Sequence, residues 1–254
     1  VNACGGAPTA VFAMDYLADG KPVTTWDARG AAIAGFSLGT DGVVYVATGG
    51  GNSPYANSVV ALDGKTLKVR DWYTASGAPF LSTPVVLSEG SRTYVVATTS
   101  AGIHLLNAAS LGGVDHRTAL SGPRPAADVR WTTEAVATWR DADGARWVLG
   151  PANGAIVAFK LVENNDGTPS LRRMWTSQNL AAPRTPIVVN GIVFALAGGQ
   201  SGANAVLYAL DPATGSELWS SGDTITSFAS AGLSAGTGQV YVVTYDNTVW
   251  AFGI

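Results

Sequence analysis

Short runs of apolar residues recur along the chain, and most of them run into a turn signal. Residues 209–219 read Ala-Leu-Asp-Pro-Ala-Thr-Gly-Ser-Glu-Leu-Trp, in which an apolar run ends at Asp211, a tight turn follows and Trp219 closes the segment. This pattern is typical of a β-hairpin. Comparable segments occur at 11–26, 59–72, 103–113 and 155–175, and the final residues 249–254 repeat the strand alone.

The spacing of these segments indicates a repeat. The positions that match Asp211 are Asp15, Asp63, Asn107, Lys160 and Gly253, at successive intervals of 48, 44, 53, 51 and 42 residues. A period of roughly 40 to 50 residues is that of the four-stranded blade of a β-propeller. The hairpin then supplies the third and fourth strands of each blade.

Two further strands are predicted upstream of each hairpin. Second strands are expected at 43–48, 92–98, 146–150, 192–197 and 240–245, and first strands within 35–40, 80–87, 133–139, 185–189 and 231–236. Unbroken apolar runs such as 43–47 are typical of strands that are covered on both faces by neighbouring sheets.

The repeated turn has a physical role. Glycine at position 215 can adopt the positive φ that such a turn needs, and the Asp211 carboxylate can accept hydrogen bonds from turn N–H groups. Trp219 is large enough to lie across the neighbouring blade, with its indole N–H seeking an acceptor. We therefore interpret most of the eight tryptophans as structural residues that join adjacent blades.

Composition and charge narrow the class of protein. The chain of 254 residues is 47% hydrophobic and 13% charged, with 31 glycines, which suits many short buried strands and tight turns. Because all-β folds of this length are often single domains, one domain is expected over 1–254. The net charge of −3 without a basic cluster argues against a nucleic-acid partner. No apolar run reaches the roughly 18 residues of a membrane span, and Cys4, the only cysteine, cannot form an internal disulfide.

The repeats resemble those of propellers built from pyrroloquinoline quinone (PQQ) repeats. The tryptophan-docking motif of that family reads Ala-x-Asp-x-x-x-Gly-x-x-x-Trp, often with Thr before the Gly, and Ala209, Asp211, Thr214, Gly215 and Trp219 match it throughout. The copy at 61–72 has Leu67 in place of the glycine. The resemblance implies an all-β propeller of four-stranded antiparallel blades.

The number of blades in the sequence does not match a complete ring. About five to six blades are visible, whereas the resemblance implies a ring of about seven or eight. We expect the chain to be incomplete at the N-terminus, with a further segment completing the ring; a distorted five- or six-bladed ring is the alternative. Residues 23–26 could pair with 249–254, and a strand pair from elsewhere is predicted to complete the blade of residues 10–27.

The resemblance leaves two functions open. Some family members are quinoproteins that hold PQQ with a calcium or lanthanide ion and oxidise alcohols or sugars. Others are scaffolds that bind proteins without a cofactor, as in bacterial outer-membrane assembly. The single cysteine excludes the adjacent-cysteine disulfide that many of the enzymes carry, and no residue matches their metal-ligand motifs. We therefore favour a scaffold that binds a protein or small-molecule ligand at the propeller face. The resemblance also implies a location outside the cytoplasm, periplasmic or secreted.

Candidate binding residues are expected on the loops that lead into the innermost strands. They are Ser37, Ser82, Arg130, Trp131, Arg184, Thr185 and Phe228. The guanidinium groups of Arg130 and Arg184 could bind a polycarboxylate such as PQQ, and Trp131 could supply a stacking face; alternatively, both arginines are solvated loop residues.

Other patterns favour structural interpretations. Residues 141–144 resemble half of a calcium loop but are better interpreted as a hairpin turn, because the later Glu is absent. The spacing of His104 and His116 argues against a metal site.

Overall fold

The computed structural model describes residues 9–120 and 130–253. It divides into two compact units, residues 1–127 and 128–254. The prediction of a single domain over 1–254 stays a prediction. Cys4 lies outside the described residues.

Unit 1 contains three antiparallel sheets in sequence order. A hairpin pairs β1 (Ala10–Met14) with β2 (Val23–Asp27), and a four-stranded sheet contains β3 (Ile33–Leu38), β4 (Val43–Thr48), β5 (Ser58–Asp63) and β6 (Val69–Thr74). A three-stranded sheet contains β7 (Val85–Glu89), β8 (Arg92–Thr99) and β9 (Gly102–Asn107).

The described residues of unit 2 form two four-stranded sheets and one three-stranded sheet. One four-stranded sheet contains β10 (Ala137–Arg140), β11 (Arg146–Ala152), β12 (Ala155–Glu163) and β13 (Pro169–Thr176), and a second contains β14 (Ile187–Val189), β15 (Ile192–Ala197), β16 (Val206–Leu210) and β17 (Glu217–Ser220). A short 3₁₀ turn at Gly222–Thr224 leads to a three-stranded sheet of β18 (Ser234–Gly236), β19 (Gln239–Val243) and β20 (Val249–Gly253). The predicted all-β class and the four-stranded antiparallel blades are confirmed, whereas the blade number stays a prediction.

The two central strands of the four-stranded sheets supply much of the core of each unit. Every residue of β4 is buried, as are residues 58–62 of β5. Alternate side chains of a strand point to opposite faces, so complete burial requires packing on both faces of the sheet. The apolar runs in the sequence have this physical origin.

The hairpin of residues 10–27 pairs within itself. Ala10 lies opposite Asp27 and Met14 opposite Val23. In this hairpin β2 therefore occupies the position of a fourth strand next to β1, the third strand. The alternative that residues 23–26 pair with 249–254 is therefore not the pairing found for β2. In the described ranges β1 has no partner on its other edge. The completion of this sheet by a further strand pair stays a prediction.

In the described residues up to 120, a turn and not a fourth strand follows β9. His116 lies in this turn with φ of 55° and stacks on Trp72 of β6 at a ring-centroid distance of 3.6 Å. The His116 carbonyl accepts a hydrogen bond of 2.7 Å from the Thr74 amide. This segment thereby covers the edge of β6, and Leu111 within it is fully buried.

Candidate functional site

The recurring turn is held by its aspartate. Asp211 Oδ1 accepts hydrogen bonds from the amides of Thr214 (2.8 Å) and Ala213 (3.0 Å) and from the Thr214 hydroxyl (2.9 Å). These bonds, that from the Thr214 hydroxyl first, lower the pKa of Asp211. Asp63 accepts the matching bonds from the amides of Lys65 and Thr66. The turns are thus fixed locally, as predicted.

Tryptophans join the sheets of unit 2. Trp175 Nε1 donates a hydrogen bond of 2.9 Å to the Pro212 carbonyl in the turn of the next sheet. Gly215 permits this approach, because a Cβ there would lie 2.4 Å from Cε3 of Trp175. Trp219 packs edge-on against Phe252 of β20 at 5.7 Å. The predicted role of tryptophan as a link between adjacent blades is confirmed at these two positions.

The loops that lead into three successive innermost strands of unit 2 are joined by Arg184 and Thr185. Arg184 Nη1 forms an ion pair of 2.9 Å with Glu134 Oε1, and Nη2 donates to the Ala229 carbonyl at 3.2 Å. The Thr185 hydroxyl donates to Glu134 Oε2 at 3.3 Å or to the Ala135 carbonyl at 3.0 Å. Glu134 precedes β10, Arg184 precedes β14 and Ala229 precedes β18, so one network orders all three loops.

A pair of aromatic residues, half-buried Phe228 and exposed Tyr245, lies beside this network. The rings of Phe228 and Tyr245 stack with centroids 4.7 Å apart and planes inclined by 19°. The Tyr245 amide donates to the Phe228 carbonyl at 2.9 Å, and Tyr245 is 69% exposed. We call the surface formed by Glu134, Arg184, Thr185, Phe228, Ala229 and Tyr245 the loop face.

Sequence reasoning found half of the loop face. Arg184, Thr185 and Phe228 were predicted, and the structure brings them together through Ala229. Glu134, Ala229 and Tyr245 were missed, and Tyr245 lay within the strand predicted over 240–245. The signal for Tyr245 was available: Asp246 and Asn247 follow it directly and favour a turn, and β19 in fact ends at Val243.

The Trp131 ring is not available for stacking as predicted, whereas Arg130 has the exposed loop position that was the alternative for it. The Trp131 ring is 6% exposed and packs against Phe159 at 5.9 Å, over Gly150. Its faces are therefore covered by protein and not open to a stacking ligand. Arg130 is exposed, and its amide donates to Asn153 Oδ1 at 2.8 Å. Since the charge of Arg184 is balanced by Glu134, a carboxylate ligand would have to compete with that pair.

The two predicted serines belong to unit 1 and bond within it. The Ser37 hydroxyl donates to the Pro84 carbonyl. Ser82 is buried, and its hydroxyl lies 3.3 Å from the Thr98 hydroxyl. Like Thr185 in unit 2, Ser37 joins the innermost strand of one sheet to the loop before that of the next. A binding role for these predicted residues stays a prediction.

Within residues 9–120 and 130–253, no group of three or more His, Cys, Asp or Glu side chains comes together to hold a metal. His104 is a core residue, with Nδ1 3.1 Å from the Tyr73 hydroxyl and Nε2 3.2 Å from that of Thr99. Burial lowers its pKa to about 4. PQQ with calcium or a lanthanide stays a prediction to which these residues assign no ligand.

The half calcium loop is the hairpin turn that the sequence predicted. The Asp141 amide donates to the Ala145 carbonyl at 3.0 Å, and Asp141 Oδ1 accepts from the Ala145 amide at 2.7 Å.

Among the described residues, no helix has the length and apolar character needed to cross a membrane.

A family described as outer membrane protein assembly factor BamB matches residues 17–221 and 172–254. The chain belongs to this family. The predicted resemblance to PQQ-repeat propellers is thereby confirmed. No curated protein sequence matches the chain.

Solved propellers share the fold. BamB from Moraxella catarrhalis is 15% identical with a TM-score of 0.51, over 97% of this chain and 78% of that one. The WD40 β-propeller domain of Doa1 is 13% identical with a TM-score of 0.54, over 97% and 76%. The quinohemoprotein alcohol dehydrogenase from Comamonas testosteroni is 12% identical with a TM-score of 0.51, and the chain spans only 43% of its length. At such identities the likeness concerns the fold alone.

Proposed function

We propose that this chain is a protein-binding scaffold that works outside the cytoplasm in the assembly of outer-membrane proteins, and that its loop face contacts a protein partner. The observation that carries the proposal is the stacked Phe228–Tyr245 pair, in which Tyr245 keeps 69% of its surface exposed. Membership of a family described as an outer membrane protein assembly factor supports the cellular role.

The chemistry of the loop face suits a protein. Aromatic side chains are enriched at interfaces and supply much of the binding energy where they insert into a partner. Tyr245 combines a large apolar ring with a hydroxyl that can bond to a partner. The Arg184–Glu134 pair and the Ala229 contact hold the loops beneath it. This order lowers the entropy lost on binding.

The alternative of a quinoprotein dehydrogenase has no matching observation on the loop face. A direct assay separates the two functions: the protein is mixed with PQQ, calcium or a lanthanide, an electron-accepting dye, and alcohols or sugars. The scaffold proposal expects no dye reduction above the protein-free control. Substrate-dependent reduction of the dye would contradict the scaffold proposal and favour the dehydrogenase.

Site-specific photo-cross-linking tests the partner. A photo-reactive phenylalanine analogue is placed at position 245 in the producing host and, as a control, at position 16, where Tyr16 of unit 1 is 72% exposed. We expect one discrete product from position 245 alone, containing a protein of outer-membrane assembly. With that purified partner, Tyr245→Ala should weaken binding about tenfold or more, whereas Tyr16→Ala should not. Equal cross-linking from both positions, or none from position 245, would contradict the proposal.

A further inference from the structure

A second concave surface lies at the other end of the strands in unit 2. Glu134 of the loop face precedes β10, whereas the groove begins at the turn that follows β10. Its volume is about 490 Å³. Three turns line it: that after β10, that between β14 and β15, and that after β16, represented by Asp143, Gly191 and Pro212.

Two stacked indoles form the floor of the groove. Trp139 lies opposite Trp147 in the β10–β11 ladder, with ring centroids 5.1 Å apart and planes inclined by 27°. Trp147 is buried, and its Nε1 donates 2.7 Å to Asp141 Oδ2. The half-buried Trp139 therefore supplies the accessible aromatic surface, and it rests on a fixed neighbour.

The Asp141 carboxylate already interacts with other side chains of the protein. Its Oδ2 accepts from the Trp147 indole and lies 3.7 Å from Lys160 Nζ, which is itself 5.3 Å from the Trp147 ring centroid. The hydrogen bond from Trp147, together with the other bonds at the turn, lowers the pKa of Asp141. Asp141 thus positions the aromatic floor and is not the group that meets a ligand.

The rim carries an acceptor next to a donor. Asp143 presents an exposed carboxylate. The exposed Arg140, the last residue of β10, precedes the same turn, and its Nη1 donates a hydrogen bond of 2.6 Å to the Gly144 carbonyl. The Asp143 carboxylate would repel an anionic ligand, and the Arg140 guanidinium would repel a cationic one. The pair suits neutral groups that both donate and accept hydrogen bonds, and hydroxyls are such groups.

We propose that this groove binds a neutral saccharide. A pyranose ring offers an apolar C–H face to Trp139 and a rim of hydroxyls to Asp143 and Arg140. The volume lies within the range of small-ligand sites, which are mostly apolar with a few placed polar groups. An extended proline-rich peptide also favours aromatic grooves, but it needs one that is open along its length. Here residues from three separate turns line the groove, whose volume of about 490 Å³ suits a compact ligand.

The test uses neutral disaccharides as probes: cellobiose, maltose and diacetylchitobiose. Binding is followed by saturation-transfer NMR and by titration of tryptophan fluorescence. We expect saturable binding of at least one probe with a Kd on the order of millimolar. Trp139→Ala should raise that Kd by about tenfold or more, and Asp143→Ala by about threefold or more.

Two controls keep the result decisive. Trp219→Ala removes another partly exposed tryptophan, outside the groove, and should leave the Kd unchanged. Circular dichroism checks that each variant is folded, and Asp143→Ala, an exposed turn substitution, decides the matter if Trp139→Ala does not fold. The proposal is overturned if no probe binds, if binding is the same in the folded groove variants, or if a hexaproline peptide binds in a Trp139-dependent manner instead. The loop face is not involved, so this proposal and the protein-binding function can fail separately.

Discussion

Trp175 Nε1 donates a hydrogen bond of 2.9 Å to the Pro212 carbonyl, and in doing so joins β13 to the turn of the next sheet. The indole ring is buried. A single side chain therefore fills the core of unit 2 and satisfies a turn carbonyl.

Replacing Trp175 should destabilise the protein strongly. Trp175→Ala leaves a large cavity and an unpaired carbonyl, and we expect a loss of about 3–5 kcal/mol in the free energy of unfolding. Trp219→Ala is the control, since Trp219 is 45% exposed, and should cost clearly less. Urea denaturation followed by circular dichroism measures both. Equal losses would show that the docked hydrogen bond and burial of Trp175 are not what stabilises the sheets.

Gly215 tests the close approach of the turn to Trp175. Gly215→Ala places a Cβ 2.4 Å from the indole at a φ of +72°, whereas Gly20→Ala has the same φ and nothing within 4 Å. The control carries the left-handed backbone cost alone, about 1–2 kcal/mol. We expect Gly215→Ala to cost more by about 1–3 kcal/mol, the range for overpacking. Thermal or urea midpoints of the two variants give the comparison. A difference near zero would mean that the ring moves aside freely.

Buried His104 predicts a pH dependence of stability. Its pKa is about 4 in the folded protein, below the ordinary value of 6.5, because burial disfavours the charged form. The unfolded chain therefore binds the proton more readily than the folded protein. The contribution of neutral His104 to the free energy of unfolding is complete above pH 6.5 and is lost as the pH falls towards 4. We expect it to reach about 3 kcal/mol.

Thermal midpoints measured between pH 7.5 and 4.5 check this dependence, and His104→Gln should flatten the decline. The variant loses packing against Tyr73 and Phe80 and will be less stable at every pH. The slope is therefore the decisive quantity. An unchanged slope in the variant would assign the decline to other groups.

The Arg184–Glu134 pair should contribute to the stability of unit 2. Both side chains are 24% exposed, so solvent screens the pair in part. Glu134→Gln keeps the shape but removes the charge, and we expect a loss of about 1–2 kcal/mol. Glu163→Gln, at an exposed position, should stay within about 0.5 kcal/mol. Urea midpoints at low and high salt measure both variants. A salt-independent loss at position 134 would indicate lost packing in place of lost charge.

The strands and the repeated turn could be predicted because their causes are local. Apolar runs such as 43–47 and the Asp211–Gly215 turn require only neighbouring residues, and the structure has both where expected. The site depends on distant residues. Arg184 was interpreted as free for a ligand because its partner Glu134 is 50 positions away. Trp131 was interpreted as an open ring because the sequence does not show that it packs on Phe159.

The groove was missed for a different reason. Trp139 and Trp147 flank a turn that was identified correctly, but the tryptophans were grouped with the structural ones. The pairing of β10 with β11 places their rings together, and the turn at Pro212, which belongs to the next sheet, lines one side of the groove. Periodicity predicts which residues share a strand, and it does not predict which turns from separate repeats share a surface.

The outer edge of β20 has a practical consequence. In the described part of the chain no strand pairs with that edge, and Val249 on it is exposed opposite Val243 of β19. Open backbone donors and acceptors beside apolar side chains are a template for other chains. This edge is therefore the place on unit 2 where a further strand can join the sheet through backbone hydrogen bonds.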